Sequence, residues 1–263
     1  MKTYLKALLR RLARTRPIRA VASHLIYPTI VNELRSEIQA DVCSPSGVAE
    51  AFAWKTHSYI VLAEELRPSG QDCAADGMRH DPETRARIIE VVLERICGLG
   101  GDVLEFGVAA GDSLRTFARR CPERRIFGFD SFEGLPEEWW TRPKGAFKSE
   151  MPHIDASNVE LVKGWFSESI PRFLNGWTGT AAIVHVDCDL YSSTQQCLSH
   201  ILPHCQPGTV ILFDEYYNYQ DFAAHEWLAW HELQVKWDLK ARCIAYDGRR
   251  AAFRLEEFGK PGS

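Results

Sequence analysis

The chain has 263 residues, of which 45% are hydrophobic and 25% are charged, and its formal net charge at pH 7 is −4. This composition is that of an ordinary globular protein, and it excludes a disordered chain, a collagen-like chain and a small disulfide-stapled domain. Because the chain is slightly acidic, it has no overall basic field, and we expect no nucleic acid partner.

Residues 1–80 are predicted to form an N-terminal helical extension that begins with a basic arm over residues 1–32. The arm contains seven Lys or Arg residues and no acidic residue, and its leucines between Leu5 and Leu12 fall on one face of a helix. Such a helix can lie on an anionic membrane surface, pack on another copy of the chain, cover a site as a lid, or remain in solvent. The arm therefore leaves peripheral membrane contact and homo-oligomerisation open.

Neither a signal peptide nor a membrane-spanning segment is expected. Arg10 and Arg11 interrupt the first apolar run, and no apolar stretch approaches the length of about 18 residues that a membrane span needs. The eight cysteines form no C-x-x-C pair, which argues against a zinc ribbon or a redox motif. Free thiols are typical of a reducing compartment, so the sequence predicts a cytoplasmic location.

Over residues 81–258 strands alternate with helices, which is the pattern of a parallel sheet with crossover helices. The predicted helices are Glu83–Cys97, Ser113–Arg120, Ser167–Leu174, Ser193–Leu202 and Phe222–Leu233. The predicted strands are Asp102–Phe106, Arg125–Phe129, Val159–Val162, Ala181–Val186, Thr209–Phe213, Lys240–Tyr246 and Arg250–Leu255. The last two strands join at Asp247-Gly248 as an antiparallel hairpin. The predicted fold class is α/β, a Rossmann-like seven-stranded sheet with helices on both faces and a closing hairpin, unlike a dinucleotide-binding Rossmann domain.

Acidic residues stand at or just after the ends of four predicted strands, at Glu105, Asp130, Asp187 and Asp214. The carboxyl ends of parallel strands meet at one edge of the sheet, where ligands of open α/β sheets bind. Because Asp and Glu are rarely buried without a partner, these acids predict a polar ligand or a metal at that edge.

A glycine-containing turn follows the first strand, in the sequence Glu105-Phe106-Gly107-Val108-Ala109-Ala110-Gly111-Asp112-Ser113. Its E-x-G-x-x-x-G spacing differs from the G-x-G-x-x-G that binds a pyrophosphate, and it suits the methionine part of S-adenosylmethionine. Gly107 and Gly111 leave space where a ligand can approach the backbone, and the following helix offers free N–H groups. A tight strand–helix turn without a ligand is the alternative.

Two further motifs suit the adenosine part of such a ligand. Asp130, followed by Ser131 and Phe132, lies about 20 residues beyond the glycine turn, where a carboxylate can accept both ribose hydroxyl protons. Asp130 or Ser131 can instead cap a helix. The segment Gly164-Trp165-Phe166 follows the third strand, and its aromatic rings can cover an adenine or simply pack in the core.

Asp187, Asp214 and Glu215 place up to three carboxylates on neighbouring strand ends. Hard oxygen ligands suit Mg²⁺, which lowers the pKa of a bound hydroxyl and prepares it for attack. Asp187 and Asp214 can alternatively cap the helices that follow them. The carboxylates therefore indicate either a magnesium site or a pair of helix caps.

Five motifs in unbroken order resemble class I S-adenosylmethionine-dependent methyltransferases, most closely the macrocin O-methyltransferase (TylF/MycF) family and its uncharacterised bacterial relatives. They are Leu104-Glu105-Phe106-Gly107-Val108, Asp130-Ser131-Phe132-Glu133-Gly134-Leu135-Pro136, Lys163-Gly164-Trp165-Phe166, Asp187-Cys188-Asp189-Leu190-Tyr191-Ser192-Ser193-Thr194 and Asp214-Glu215-Tyr216. The resemblance implies methyl transfer from S-adenosylmethionine to a hydroxyl of a small molecule, saccharide or natural product, often with Mg²⁺.

The resemblance also implies roles for individual residues. The turn from Glu105 to Gly111 would bind the methionine part and Asp130 the ribose. Asp112 and Ser113 would also contact the cofactor. Asp187 would be a metal ligand, a cofactor contact and the proton acceptor. Asp214 and Glu215 would complete the metal site, although the family usually has Asp-Asp at these two positions. The segment from Trp139 to Asn158 also departs from the sugar methyltransferases, so the acceptor does not carry over.

Two other classes of function remain open from the sequence. One is a nicotinamide-dependent oxidoreductase on a doubly wound sheet, against which the missing G-x-G-x-x-G argues. The other is a membrane-surface binding protein that kept the fold without activity. Trp139 and Trp140 lie in a proline-containing loop over residues 134–158, and we hypothesise that they close over the acceptor.

Overall fold

The computed structural model describes residues 55, 57–58, 61–66, 74–75, 82–96 and 98–258. The predicted basic arm over residues 1–32, and most of the predicted helical extension over residues 1–80, lie outside the described residues. The compact unit that contains the sheet begins at Val61, ahead of the domain boundary at residue 81 that the sequence suggested. Within the described ranges, no helix combines the length and the apolar character needed to cross a membrane.

Within the described residues, the sheet has eight strands. They are β1 Ala74–Ala75, β2 Asp102–Phe106, β3 Ile126–Asp130, β4 Val159–Lys163, β5 Ala181–Val186, β6 Cys205–Phe213, β7 Leu239–Tyr246 and β8 Ala251–Phe258. Their order across the sheet is β1-β7-β8-β6-β5-β2-β3-β4. Strands β2 to β6 run parallel, whereas β8 pairs antiparallel with both β6 and β7. The predicted seven strands and the closing hairpin are confirmed, and the two-residue strand β1 adds to them by pairing parallel with β7.

The predicted helices are present with small shifts at their ends. They are α1 Pro82–Arg95, α2 Asp112–Arg120, α3 Phe166–Leu174, α4 Tyr191–Ile201 and α5 Glu226–Lys236. The largest shift is in α5, which was predicted to begin at Phe222. Residues Phe222–Ala224 form a separate 3₁₀ turn, and His225 leaves the helical region with φ −119° and ψ −125°. The α-helix therefore begins only at Glu226.

The middle strands are buried on both faces, because helices cover both sides of the sheet. Every residue of β2 and of β5 is buried, as expected for central strands of a parallel sheet. Successive side chains point to opposite faces. Val103 therefore belongs to one hydrophobic cluster and Leu104 and Phe106 belong to the other.

The backbone aligns the carboxyl ends of four strands at one edge. Gly107 N donates to Phe129 O, Asp187 N donates to Phe106 O, and Asp214 N donates to Val186 O, each at 2.9 Å. These bonds fix the register just where β2, β3, β5 and β6 end. The acidic residues predicted at the strand ends therefore lie at a common edge.

Candidate active site

A cavity of about 540 Å³ lies at this edge of the sheet. Its volume is in the usual range for small-molecule sites, about 300–1,000 Å³. Residues at or just beyond the ends of the five strands β2 to β6 line the cavity. The predicted site residues on its wall are Gly107, Ala109, Asp130, Ser131, Gly164, Trp165, Phe166, Asp187, Asp214 and Glu215.

Glu105 and Ser113, predicted to contact the cofactor, lie beneath the glycine turn instead. Glu105 is fully buried. Its Oε1 accepts a hydrogen bond of 2.7 Å from Ser113 Oγ, and its Oε2 lies 3.1 Å from Nδ1 of the buried His185. Because both carboxylate oxygens have partners, Glu105 ties the first turn of α2 to β5 and supports the turn from below.

Three more predicted contact residues are core side chains. Phe106 is fully buried and stacks on Phe129 with ring centroids 4.8 Å apart. Val108 and Phe132 are buried in the cluster on the opposite face of the sheet. Their side chains are absent from the cavity wall, so any contact that these positions make with a ligand would come from the backbone.

The two glycines of the turn are explained by chain packing. Gly107 has φ +94°, and a Cβ on it would lie 1.8 Å from the carbonyl oxygen of Asp187. Gly111 has φ +80°, precedes α2, and would bring a Cβ within 3.1 Å of Ile154. From the sequence, both glycines were predicted to leave space for a ligand, but only Gly107 is on the cavity wall. Asp112 is a surface residue that pairs with Arg115 at 3.3 Å.

Asp130 holds the glycine turn in shape. Its Oδ2 accepts hydrogen bonds from the backbone N–H groups of Val108 at 2.8 Å and Ala109 at 2.9 Å. Its Oδ1 accepts from the N–H of Phe132 at 2.7 Å. A carboxylate has about four acceptor positions, so these three bonds leave about one for a ribose hydroxyl rather than the two that the sequence suggested.

Close to Asp130 in the sequence, the hydroxyl of Ser131 already has a hydrogen-bond partner. The ring of Trp165 is accessible from the cavity. Ser131 Oγ accepts a hydrogen bond of 3.1 Å from Glu133 N. Trp165 is 39% exposed and lies on the cavity wall. Phe166 packs edge-on against Phe106, with centroids 5.5 Å apart. Of the two rings, Trp165 is the more accessible to a flat ligand.

Asp187 and Asp214 lie next to each other on the cavity wall, and the guanidinium of Arg85 is close to both. Nη2 of Arg85 lies 2.7 Å from Oδ2 of Asp214, and Nη1 lies 3.7 Å from Oδ2 of Asp187. Burial and the charge of Asp214 raise the pKa of Asp187 to about 7, while Arg85 acts in the opposite direction. Burial lowers the pKa of Arg85, but Asp187 and Asp214 outweigh it and raise that pKa above its usual value.

Residues 104–216 match the family model described as a methyltransferase domain. In fold, the chain is similar to the crystal structure of the calicheamicin methyltransferase CalS11, at 20% identity and a TM-score of 0.56 over 88% of this chain and 93% of that chain. It is also similar to the O-methyltransferase NovP, at 22% identity and a TM-score of 0.53 over 67% of this chain and 79% of that chain. The fold is that of a class I methyltransferase.

Two relatives are similar to this chain in sequence. One is 8-demethyl-8-(2,3-dimethoxy-alpha-L-rhamnosyl)-tetracenomycin-C 4'-O-methyltransferase of Streptomyces olivaceus, 28% identical over 45% of this chain and 54% of that protein. The other is demethyldecarbamoylnovobiocin O-methyltransferase of Streptomyces niveus, 24% identical over 61% of this chain and 71% of that protein. The chain matches about half the length of the tetracenomycin enzyme. A further structure of CalS11 names it a TDP-rhamnose 3'-O-methyltransferase.

The carboxylates at this edge of the sheet are not arranged for a magnesium ion in the way the sequence suggested. Among the described residues, His185, Asp187 and Asp214 have potential ligand atoms within 4.8 Å of one another. Asp214, however, already accepts from Arg85 on one oxygen and from Arg250 Nε, at 2.6 Å, on the other. The donor set as it stands does not fit a divalent cation, because guanidinium groups bind both oxygens of Asp214 and one of them also lies 3.7 Å from Asp187.

Glu215, the third predicted metal ligand, is turned toward other partners. Its Oε2 lies 3.3 Å from Nη1 of Arg249, and its side chain is 9% exposed. Its backbone N–H donates to Oε2 of Glu226 at 3.2 Å. Glu215 therefore contributes to the cavity wall while its charge faces an arginine.

Sequence reasoning missed Arg85 and Glu226. Arg85 stands in the first turn of α1, where the helix dipole disfavours a cation. This unfavourable placement was the one feature of the sequence that could have indicated its role. Glu226 is fully buried. Its two oxygens accept from the N–H groups of Asp189 and Glu215, each at 3.2 Å. Glu226 thus joins the loops that follow β5 and β6, a role that no local pattern indicated.

The two tryptophans of the loop over residues 134–158 have different environments. Trp139 is 5% exposed, lies on the cavity wall and packs edge-on against Tyr219 with centroids 5.7 Å apart. Trp140 is 38% exposed, and its Nε1 donates to Gln220 at 3.2 Å. The hypothesis that both rings close over the acceptor stays a prediction, and only Trp139 is on the wall in this structure.

Proposed function

We propose that the chain is an S-adenosylmethionine-dependent O-methyltransferase that acts on a hydroxyl of a sugar-bearing small molecule. The observation that carries this proposal is the single cavity that brings together the glycine turn, Asp130, Trp165 and Asp187. The methionine part would lie along the backbone of the turn, the ribose at Asp130 and the adenine against Trp165. The acceptor would then enter beside Asp187.

The reaction is an in-line displacement at the methyl carbon. The acceptor oxygen forms a bond to the methyl carbon while the bond from that carbon to sulfur breaks, and the electron pair stays on sulfur to give S-adenosylhomocysteine. The hydroxyl proton passes to the carboxylate of Asp187, which lies on the cavity wall with its side chain 21% exposed. General-base help of this kind typically contributes about 10²–10⁴-fold to the rate.

The protein's larger contribution is alignment. Holding the acceptor oxygen, the methyl carbon and sulfur in line supplies up to about 7–11 kcal/mol in well-oriented reactions. The rigid edge of the sheet suits this task, because Asp187 is fixed by its backbone bond to Phe106 and the turn is fixed by Asp130. Trp139 and Leu135 add an apolar wall that would exclude water from the acceptor.

A sugar hydroxyl is the acceptor class that the relatives favour. The tetracenomycin and CalS11 enzymes are named for transfer to rhamnose hydroxyls. The acid-rich end of the cavity, with Asp187, Asp189 and Glu215 on its wall, offers acceptors to sugar hydroxyl protons.

Calorimetric titration of the full chain with S-adenosylhomocysteine and, in parallel, with NAD tests the cofactor. We expect saturable binding of S-adenosylhomocysteine with one site per chain and no binding of NAD. Transfer of labelled methyl from S-adenosylmethionine to TDP-rhamnose and to methyl rhamnoside then tests the acceptor class. Binding of NAD without binding of S-adenosylhomocysteine would contradict the proposal.

A further inference from the structure

Arg85 occupies the position between the two predicted metal ligands. Its guanidinium reaches Asp214 Oδ2 at 2.7 Å and Asp187 Oδ2 at 3.7 Å, from the first turn of α1. The side chain is 28% exposed and lies on the cavity wall. A cation that bridges these two carboxylates at the floor of the cavity stands where a divalent ion would have to bind.

Two further arginines pair with Asp214 and Glu215. Arg250 Nε donates to the second oxygen of Asp214 at 2.6 Å, and both side chains are almost fully buried. Arg249 lies 3.3 Å from Glu215. A divalent ion would have to displace the guanidinium of Arg85 or lie next to it, and two positive charges a few ångströms apart in a poorly solvated site repel each other strongly.

Two local effects disfavour a charged side chain at the position of Arg85. A cation in the first helical turn opposes the helix dipole, and burial disfavours its charge. Its Nε is buried and has no hydrogen-bond partner among the described residues. Departures from local rules concentrate at functional sites, and this one places a permanent positive charge next to Asp187.

We propose that the guanidinium of Arg85 replaces a divalent cation in this site, so that the chain transfers methyl groups without a metal. Arg85 is a positioning residue that acts through Asp187, because its guanidinium lies 3.7 Å from Oδ2 of that carboxylate. A guanidinium accepts no hydrogen bond and keeps its proton, so removal of the hydroxyl proton falls to Asp187. The part of this proposal that concerns catalysis rests on the proposed function.

Binding of Mn²⁺, followed by the electron paramagnetic resonance signal of the free ion, tests the proposal without reference to activity. The proteins are the full-length wild type, Arg85→Ala, and Arg87→Gln as a control that removes an exposed arginine of the same helix. We expect no saturable binding by the wild type or by Arg87→Gln at millimolar Mn²⁺. We expect Arg85→Ala to gain one saturable site, because Asp187 and Asp214 are then free of that guanidinium.

Titration of the same three proteins with S-adenosylhomocysteine separates the two proposals. Equal affinity in all three would show that the cavity is intact, and failure of the wild type to bind would count against the proposed function alone. One saturable Mn²⁺ site in the wild type would overturn the inference about Arg85. Absence of Mn²⁺ binding in Arg85→Ala would overturn it as well, because Asp187 and Asp214 would then not form a cation site even without the guanidinium of Arg85.

Turnover gives a second readout if the methyl transfer is observed. Wild-type turnover is expected to be unchanged by EDTA and by added Mg²⁺. Arg85→Ala should lose about 10²-fold in kcat, the low end of a general-base contribution, and regain part of it with Mg²⁺. Loss of wild-type turnover in EDTA, reversed by Mg²⁺, would refute metal-independent transfer.

Discussion

Replacement of Asp130 by alanine tests the glycine turn and the cofactor site together. The substitution removes the acceptor of three backbone hydrogen bonds of 2.7–2.9 Å, from Val108, Ala109 and Phe132. A hydrogen bond to a charged group is worth about 1.5–3 kcal/mol, and Asp130 is only partly buried, so water replaces part of the loss. Because bonds to one carboxylate are not additive, we expect the free energy of unfolding to fall by about 2–4 kcal/mol.

The same substitution removes the carboxylate proposed to bind the ribose. Loss of one hydrogen bond to a charged group, about 1.5–3 kcal/mol, corresponds to a rise of about 10- to 100-fold in the Kd for S-adenosylhomocysteine. Urea unfolding measures the stability, and calorimetry well below the unfolding midpoint measures the affinity. Asp112→Ala is the matched control, since Asp112 is an exposed acid of the same segment, and it should change stability by less than about 0.5 kcal/mol.

The two readouts can fail separately. An unchanged Kd in Asp130→Ala, with reduced stability, would refute a ribose contact while keeping the role of Asp130 in the turn. Stability equal to that of Asp112→Ala would refute the reasoning about the turn itself. Asp130→Ala differs from wild type only at the turn, so a change in urea m-value would indicate wider unfolding and would point to a larger structural role.

Asp187→Asn should lower kcat by about 10²–10⁴-fold and leave the Kd for S-adenosylhomocysteine near the wild-type value; turnover at the wild-type rate would exclude Asp187 as the base. Glu226→Ala should destabilise the fold by about 2–6 kcal/mol in urea unfolding, because two backbone donors lose their acceptor at about 1–3 kcal/mol each, whereas Glu226→Gln keeps one acceptor oxygen and should lose less. Equal losses in the two variants would contradict that account. Trp139→Ala should lose about 3–5 kcal/mol as a buried large-to-small change, and the exposed Trp140→Ala should lose about 1 kcal/mol or less; the reverse order in unfolding experiments would refute the assigned environments.

The order of the strands and helices, and the place of the acidic residues at the strand ends, follow from the amino-acid sequence alone. Apolar runs bounded by turns located the strands, and their alternation with helices implied a parallel sheet. The strand ends therefore had to meet at one edge, and for that reason the sequence alone places Asp130, Asp187 and Asp214 together. The closing hairpin followed from Asp247-Gly248 in the same way.

The partners of the charged side chains depend on the tertiary structure. Arg85 and Asp214 are 129 positions apart, and the pairing of Glu105 with His185 spans 80 positions. Local periodicity carries no information about such contacts, because each depends on the register of strands and on the tilt of a helix over them. The sequence therefore located the carboxylates at a single edge. The tertiary structure determined that arginines pair with Asp214 and Glu215, and that Glu105 lies beneath the turn.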